Sequence, residues 1–371
     1  MKVLITGANG FVGQNLAVHL SERKDIEVFR FSRDDDHHCL FEKVKQVDFI
    51  FHLAGVNRPK DAEEFKAGNT DLTRLLADAV IASGRRIPIV YTSSIQAEQD
   101  NAYGSSKRAA EDILKQLASV HGSAVYLFRL PNVFGKWARP NYNSAVATFC
   151  FNIARGLPIQ INDSSAQVTL VYIDDVVKRF LAVMDGLVTA SLYVEVSPQY
   201  QITVGDLSAT LNAFRESRAT LITEQVGTGL TRALYSTYLS YLPPENFTYE
   251  VPKYGDPRGV FVEMLKTPNA GQFSYFTAHP GVTRGGHYHH SKTEKFLVIR
   301  GEASFKFRNI ITGEFYELRT NGEKPIIVET VPGWTHDVTN VGQDEMIVML
   351  WANEIFDRAQ PDTYALAVGN A

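Results

Sequence analysis

Short apolar runs alternate with helix-like patterns through the first half of the chain. Five of these runs are rich in β-branched and aromatic residues and predict strands, at positions 3–6, 27–31, 48–53, 87–92 and 124–129. The runs are apolar on both faces, which is typical of strands in a parallel sheet that is covered by helices on each side. The pattern therefore predicts an α/β domain with a doubly wound parallel sheet.

The pattern changes near residue 240. Prolines and glycines cluster between Leu242 and Gly259, which indicates a linker. Beyond this cluster, strand-like runs such as 271–277, 303–308 and 346–351 are separated by turn residues, so the second part is predicted to be all-β. A chain of 371 residues also exceeds what one hydrophobic core usually supports. We expect two domains, at residues 1–243 and 244–371.

The composition is that of a globular enzyme. Apolar residues make up 44% of the chain, charged residues make up 21%, and the formal net charge is -4, so the bulk charge indicates neither nucleic acid nor an anionic membrane as a partner. Cys39 and Cys150 are too few for a disulfide framework and lack metal-ligand spacing, which fits a reducing compartment. No apolar run approaches the roughly 20 residues of a membrane span. We expect a cytoplasmic protein.

A glycine-rich turn, Gly7-x-x-Gly10-x-x-Gly13, follows the first predicted strand and precedes a helical pattern. Such glycines let the backbone turn sharply and approach a pyrophosphate, whose charge is met by amide groups at the helix N-terminus. An ordinary strand-to-helix turn is the alternative, but strand, glycines and helix occur here in the required order. The motif predicts the phosphate-binding turn of a Rossmann-like domain, with Phe11 and Val12 at the start of the helix beside the cofactor.

The residues about 20 positions after the last glycine bear on cofactor choice, because an acidic residue there would bind the ribose 2'-hydroxyl of NAD. The chain has Ser32, Arg33 and Asp34 in this region. If Arg33 occupies the position, its guanidinium suits the 2'-phosphate of NADP. If the turn is one residue longer, Asp34 faces the ribose instead. We favour Arg33 and NADPH.

Tyr103 and Lys107 are spaced by one helical turn, so both side chains fall on one face of a predicted helix. A tyrosine has an unperturbed pKa of about 10, so it can protonate a developing alkoxide near neutral pH only if a nearby positive charge lowers that pKa. Lys107 supplies such a charge. A serine from the end of the strand at 87–92 can hydrogen-bond the substrate oxygen, which completes a site for carbonyl reduction.

These features resemble the extended short-chain dehydrogenase/reductase family, which includes nucleotide-sugar epimerases, dehydratases and reductases. The resemblance covers residues 1–240 and rests on the motifs TGANGFVG, HLAG, VYTSS, YGSSK and RLPNVFG. It implies that Tyr103 is the general acid, Lys107 its partner and Ser94 the hydroxyl residue, with Ser93 as the competing register. It also implies that Leu53, Ala54 and Gly55 line the dinucleotide.

The resemblance extends to further positions. Asn69 matches the family's active-site asparagine, although a helix N-cap explains it equally well. The family's substrate-facing segment falls on RLPNVFG and the residues after it. We therefore expect Asn132, Arg139 and Asn141 to contact a nucleotide sugar, with a solvated loop as the alternative for each of them.

A second constellation lies in the C-terminal part. His287-x-His289 places two imidazoles on one face of a strand, Glu294 follows, and His336 lies on a later predicted strand. Three imidazoles and one carboxylate form a ligand set for a divalent first-row metal, and zinc is the expected ion. The spacing resembles the first motif of the cupin family and part of the second, which departs from the family pattern at Pro332-Gly333. The resemblance implies an all-β cupin barrel.

An N-terminal extended reductase fused to a C-terminal cupin is similar to bifunctional enzymes of capsular polysaccharide synthesis. That resemblance implies C3 epimerisation by the cupin and NADPH-dependent reduction at C4 of a UDP-2-acetamido-2,6-dideoxy-hexos-4-ulose. The product would be a UDP-2-acetamido-2,6-dideoxy-L-talose on the route to N-acetyl-L-fucosamine. Two other roles for the barrel remain open, as a sugar-binding module or as an oligomerisation platform. We expect a homodimer.

Overall fold

The computed structural model describes the whole chain except Lys60, Ala62, Thr248, Ser291, Ile311, Pro325, Gln360 and residues 189–191 and 370–371. The chain forms two compact units, one of Met1–Leu211 with Ala233–Pro243, the other of Asn212–Arg232 with Pro244–Ala371. The predicted boundary at residue 243 lies at one junction, but residues 212–232 group with the second unit rather than the first. Their backbone explains this grouping, because Lys266 donates to the carbonyl of Leu221 and accepts from the amide of Thr223, both at 2.8 Å.

The first unit is built on a parallel sheet with the strand order β2-β1-β3-β4-β5. Its strands are β1 (Lys2–Thr6), β2 (Glu27–Phe31), β3 (Phe49–His52), β4 (Ile89–Ser94) and β5 (Val125–Leu130). Alternate residues of β1 enter different cores, because Val3 and Ile5 pack in one apolar cluster and Leu4 packs in another. The sheet is therefore apolar on both faces, and the predicted Rossmann-like fold is confirmed.

Helices connect these strands and cover the sheet. They are α1 (Phe11–Ser21), α2 (His37–Val44), α3 (Glu63–Phe65), α4 (Leu72–Ala82), α5 (Ala102–Gln116), α6 (Ala145–Ala154) and α7 (Ile173–Met184). A π-helical turn at Lys66–Asp71 joins α3 to α4. A smaller sheet in the order β6-β7-β8 is formed by β6 (Asn132–Phe134), β7 (Gln167–Tyr172) and β8 (Tyr200–Thr203). Two helices follow, α8 (Val204–Thr220) and α9 (Gly229–Ser240).

The second unit contains two antiparallel sheets, in the orders β16-β13-β18-β11-β10-β9 and β15-β14-β17-β12-β19. The first sheet comprises β9 (Lys253–Asp256), β10 (Gly259–Thr267), β11 (Gly271–Ala278), β13 (Glu294–Arg300), β16 (Ile327–Glu329) and β18 (Met346–Ala352). The second comprises β12 (Thr283–Tyr288), β14 (Glu302–Asn309), β15 (Phe315–Asn321), β17 (Trp334–Asn340) and β19 (Tyr364–Ala365). Both sheets contribute to one apolar core, as Phe296 and Phe305 show with ring centroids 5.7 Å apart. The predicted all-β character of this part is confirmed.

Within the described residues, the helices are all too short or too polar to cross a lipid bilayer.

Candidate functional sites

The glycine-rich turn packs directly against the backbone that follows β3. Gly7 has a φ of +69°, and a Cβ there would lie 2.7 Å from the Cα of Ala54. At Gly13, a Cβ would lie 2.3 Å from the carbonyl oxygen of Gly7. Gly10 caps α1 without a side-chain hydrogen bond, so the amides of the first turn, which begins at Phe11, stay available to an anion. Leu53 and Ala54 thus lie beside the turn and Gly55 follows them, and their contact with a dinucleotide remains a prediction.

A buried hydrogen-bond chain through His52 supports this arrangement. The Thr73 hydroxyl donates to the carbonyl of Asn69 at 2.6 Å, so it accepts from Nε2 of His52 at 2.8 Å. Nδ1 of His52 then accepts from the Thr6 hydroxyl at 2.7 Å, and that hydroxyl oxygen accepts from the amide of Ala54 at 3.3 Å. Burial lowers the pKa of His52 to about 3, so the ring stays neutral. The sequence analysis did not single out His52 for this role.

The turn after β2 holds the residues predicted to choose the cofactor. Arg33 and Asp34 are both exposed there. The Asp35 side chain is bound within the turn, because its carboxylate accepts from the Ser32 amide at 2.7 Å. This hydrogen bond lowers the pKa of Asp35. Arg33 and Asp34 therefore remain the two side chains that can meet the ribose end of a dinucleotide at this edge.

The predicted catalytic residues come together at the end of β4 and the start of α5. Asn101 caps α5 by accepting from the amide of Gly104 at 2.8 Å. Burial raises the pKa of Tyr103, and a side-chain hydrogen bond with Ser94 opposes that rise. One turn later, Lys107 donates to the carbonyl of Thr92 at 2.8 Å. Burial lowers the pKa of Lys107 to about 8, a shift that the carboxylate of Glu111 opposes.

The structure distinguishes the two serines at the end of β4. The Ser93 hydroxyl donates to Oε1 of Glu111 at 2.5 Å and is buried. The Ser94 hydroxyl instead accepts from the amide of Gln96 at 3.2 Å, and it lies near enough to Tyr103 to lower the pKa of that phenol. The contact of Ser93 with Glu111 favours Ser94 as the hydroxyl residue, and that assignment remains a prediction.

Asn69 is buried inside the π-helical turn, so the N-cap interpretation of this residue is wrong. Its side-chain amide donates to the Ser106 hydroxyl at 2.9 Å, and its Oδ1 accepts from the amide of Val56 at 2.8 Å. A Cβ on Gly55 would lie 2.9 Å from that Oδ1 and 3.0 Å from Nζ of Lys107. Because Gly55 has no side chain, Asn69 and Lys107 can both lie close to the backbone that follows β3, where the cofactor is predicted to bind.

The predicted substrate residues lie on β6 and in the loop after it. Asn132 donates to the carbonyl of Thr169 at 3.1 Å and is exposed. The Arg139 guanidinium lies over the Tyr142 ring at 5.4 Å, and Asn141 has a φ of +54°. This loop is thus folded and carries an unusual backbone conformation, which is common at binding sites.

The base of the same loop is anchored by an ion pair that the sequence analysis missed. Nζ of Lys136 lies 2.5 Å from Oδ1 of Asp174, which also lies 3.3 Å from Nε2 of His19. Trp137, the next residue, has a φ of +69° and an exposed ring. Local spacing gives no signal for the pairing, because Lys136 and Asp174 are 38 residues apart.

The four predicted metal ligands converge in the second unit. One ligand atom from each of His287, His289, Glu294 and His336 can be chosen so that all four lie within 4.8 Å of one another. Both ring nitrogens of His336 are buried without a well-formed hydrogen bond among the described residues, although Nε2 lies 3.4 Å from Oε2 of Glu294. A ring nitrogen in that state is suited to coordinate an ion. The residues present therefore fit a divalent metal.

Charged and polar groups surround this cluster. Burial favours the protonated acid at Glu294, but His289, His336 and the Lys292 ammonium hold its pKa far below the ordinary value. Burial lowers the pKa of His287 to about 4. Both shifts keep these side chains in the deprotonated forms that bind metals.

A pocket of about 170 Å³ lies against the cluster and includes His287, Glu294 and His336 in its wall. Arg284 and Asp337 also line it, and neither was singled out from the sequence. Oδ1 of Asp337 is buried without a hydrogen-bond partner among the described residues, and burial raises the pKa of this acid. The candidate metal centre thus faces a space that a small polar molecule can enter.

Comparisons with known proteins agree with this architecture. Residues 3–191 match the NAD dependent epimerase/dehydratase family, and residues 254–364 match the Polysaccharide biosynthesis C-terminal domain. The chain belongs to the NAD dependent epimerase/dehydratase family. A family member from Pseudomonas aeruginosa, UDP-2-acetamido-2,6-beta-L-arabino-hexul-4-ose reductase, is 68% identical over 369 residues, which cover 100% of this chain and 99% of that protein.

Solved structures extend the similarity over both units. The capsular polysaccharide assembling protein CapF from Staphylococcus aureus is 41% identical and covers 99% of this chain and 100% of its own, with a TM-score of 0.92. A CapF structure with the inhibitor 3-isopropenyl-tropolone is 37% identical, with the same coverage and a TM-score of 0.86. The full-length similarity to a reductase identifies this family member as an oxidoreductase, and its fold supports a nicotinamide cofactor.

Proposed function

We propose that this chain is a bifunctional nucleotide-sugar enzyme. The first unit reduces the C4 ketone of a UDP-2-acetamido-2,6-dideoxy-hexos-4-ulose with NADPH, and the second unit epimerises the same sugar at C3. The product is a UDP-2-acetamido-2,6-dideoxy-L-talose for capsular polysaccharide synthesis. The observation that carries the proposal is the placement of Tyr103 on α5 near Ser94, one helical turn from the buried Lys107. The 68% identity to a reductase of a UDP-activated keto sugar supports the substrate class.

The residues of the first unit have defined tasks in the reduction. When bound, the reduced nicotinamide supplies the hydride for the carbonyl carbon. Tyr103 donates its phenolic proton to the sugar oxygen, and Ser94 donates a hydrogen bond to the same oxygen. The positive charge of Lys107, one turn along the helix, stabilises the phenolate that remains. Because Gly55 has no side chain, Oδ1 of Asn69 and Nζ of Lys107 can both lie close to its backbone.

The exposed position of Arg33 supports NADPH as the cofactor. The residue follows β2 directly after Ser32, at the carboxyl edge of the sheet where dinucleotides bind in this fold. A guanidinium there can pair with a 2'-phosphate through two parallel hydrogen bonds. Asn132, Arg139 and Asn141 then contact the nucleotide sugar from the loop after β6.

The second unit is proposed to bind zinc through His287, His289, Glu294 and His336, in a cupin barrel. When bound, the ion supplies positive charge that helps acidify the C3 proton beside the C4 ketone. The protein holds the four ligand side chains together in a partly enclosed pocket that the sugar can enter. The buried ring nitrogens of His336, with Nε2 lying 3.4 Å from Oε2 of Glu294, are the observation that supports a resident metal.

Isotope exchange tests both activities in one sample. The protein is incubated with the UDP-4-keto-6-deoxy sugar in deuterated water, with and without NADPH, and the products are followed by NMR. Deuterium should enter C3 without NADPH, and the C4 alcohol should form only when NADPH is present. Reduction without any deuterium at C3 would mean that the protein is only a 4-ketoreductase. The barrel would then be a sugar-binding or oligomerisation module.

A further inference from the structure

The last described residues of the chain form a segment that crosses the strands carrying the metal ligands. We call residues 362–368 the C-terminal strap. Its strand β19 pairs with β12, with Ala365 opposite His287 and Tyr364 opposite Tyr288. In the sheet order β15-β14-β17-β12-β19, this strand covers what would otherwise be the free edge of β12. The strap thus prevents another strand from pairing with the edge of β12, which carries the proposed ligand His287.

The start of the strap closes the loop after β12 through one residue, Asp362. Its carboxylate oxygens accept from two loop amides, that of His290 at 2.9 Å and that of Lys292 at 2.8 Å. Its main-chain carbonyl lies 2.5 Å from Nδ1 of His289. Because a carbonyl can only accept, Nδ1 of His289 carries the proton. Nε2 of the same ring lies 3.3 Å from Oε2 of Glu294, and it is the nitrogen that is left to bind a metal when the ring is neutral.

The end of the strap is fastened to two further parts of the same sheet. The amide of Leu366 donates to the carbonyl of Gly286 at 2.9 Å, next to His287. The carbonyl of Leu366 accepts from the hydroxyl of Thr335, the neighbour of His336. The carbonyl of Val368 accepts from Nε of Arg308 at 2.6 Å. The strap therefore contacts neighbours of three of the four proposed ligands.

We propose that the strap, through Asp362, orients the proposed metal ligands, and that Asp362 is a positioning residue of the metal centre. The proposal rests on the metal site of the proposed function. The carbonyl of Asp362 selects the tautomer and ring orientation of His289, as carbonyl partners of metal-bound histidines do in general. The carboxylate fixes the backbone between His289 and Glu294, which together contribute two of the ligands.

The test measures zinc binding by the full chain and by Asp362→Ala, with a chelator as competitor and no substrate. Asp362→Ala keeps the main-chain carbonyl but removes the carboxylate that holds it beside His289. We therefore expect the dissociation constant to rise about 10-fold, the lower end of the 10–100-fold range for loss of an outer partner of a metal ligand. The matched control is Asp357→Ala. It removes an exposed carboxylate from the same C-terminal region, which accepts from the nearby amide of Ala359 at 2.8 Å.

Hydrogen exchange provides a readout that does not require metal. The amides of His290 and Lys292 should exchange faster in metal-free Asp362→Ala than in the unmodified protein, and the Asp357→Ala control should match the unmodified protein. If Asp362→Ala does not fold, Asp362→Asn retains the side-chain volume and one acceptor oxygen, and it should weaken zinc binding by a smaller factor.

The results distinguish the role of Asp362 from the existence of the metal site. Equal zinc affinity and equal exchange in the folded variants would overturn the role of Asp362 while the metal site stands. An unmodified protein that binds no zinc, manganese, nickel or cobalt would overturn the metal site, and the inference would fall with it.

Discussion

The Ser93 hydroxyl donates a hydrogen bond to Oε1 of Glu111 at 2.5 Å, which joins the end of β4 to the helix that carries Tyr103 and Lys107. The carboxylate is buried and also accepts from Arg129 at 2.9 Å and 2.7 Å. Burial raises the pKa of Glu111, but the bonds from Arg129 and Ser93 outweigh burial and keep the acid ionised. This contact holds the catalytic helix at a set distance from Ser94.

Glu111→Gln should therefore affect both stability and the pH dependence of reduction. Removing one partner of a buried ion pair lowers the free energy of unfolding by about 3 kcal/mol. Glu111 also raises the pKa of Lys107, which burial has lowered to about 8. Without that carboxylate the pKa of Lys107 falls further, so its charge is lost at lower pH. The decline of kcat/KM with rising pH should then begin at lower pH.

The control for this prediction is Asp112→Asn, the next residue of the helix. Asp112 forms an exposed ion pair with Lys115 at 3.0 Å, so its removal should change stability by less than about 0.5 kcal/mol. Chemical unfolding and pH-rate profiles give the two measurements. A destabilised Glu111→Gln enzyme with an unmoved pH profile would restrict Glu111 to a structural role.

Tyr103→Phe should lower the rate of NADPH oxidation by about 100-fold or more, because the phenol is the proposed proton donor. Deuterium exchange at C3 should persist, since the proposed epimerisation uses the other unit. Tyr126→Phe is the control, because it removes a phenol from a core-packed position of the same unit. Retention of more than about a tenth of the reduction rate would contradict the assignment of Tyr103.

Arg33→Asp should erase or reverse the expected preference for NADPH over NADH. A carboxylate repels the 2'-phosphate and can accept from a 2'-hydroxyl. The comparison is kcat/KM with each cofactor. Arg86→Asp serves as the control, because Arg86 is exposed and precedes β4 at the opposite edge of the parallel sheet. Equal use of both cofactors by the unmodified enzyme would show that Arg33 does not select the cofactor.

His336→Ala should release the proposed zinc ion and stop deuterium entry at C3. The dinucleotide should still bind, because the glycine turn belongs to the other compact unit. Elemental analysis and NADPH titration check the two expectations. His279→Ala provides a control in the same unit, since that histidine is exposed and lies 4.0 Å from Glu345 rather than in the cluster. A metal-free enzyme that still epimerises would mean that side chains alone carry out the exchange.

Much of the fold follows from local patterns. The strand predicted at 27–31 is β2 (Glu27–Phe31), and the strand predicted at 124–129 differs from β5 by one residue at each end. Alternation of apolar runs is a property of neighbouring residues, so it can be recognised in the sequence without knowledge of tertiary contacts. The family assignment rests on equally local motifs, and it is confirmed by the match over residues 3–191.

Local spacing also located most of the candidate site. Tyr103 and Lys107 share one helix, and His287 and His289 are two residues apart, so their proximity follows from regular geometry. Their roles remain predictions. The association of His336 with this pair relied on a resemblance, because β17 reaches β12 only through sheet pairing.

Other relationships depended on contacts between distant parts of the chain. Ser93 is bound to Glu111, which favours Ser94 as the hydroxyl near Tyr103, and His52 is held between Thr6 and Thr73 in the buried interior. Residues 212–232 group with the second unit because Leu221 and Thr223 bond Lys266. The sequence by itself determined the strands, the glycine turn and the residue types suited to hydride transfer and metal binding. Tertiary structure alone decided which hydroxyl, carboxylate and carbonyl groups contact these residues. Those partners are separated from them by many residues along the chain, so they become neighbours only when the sheets form.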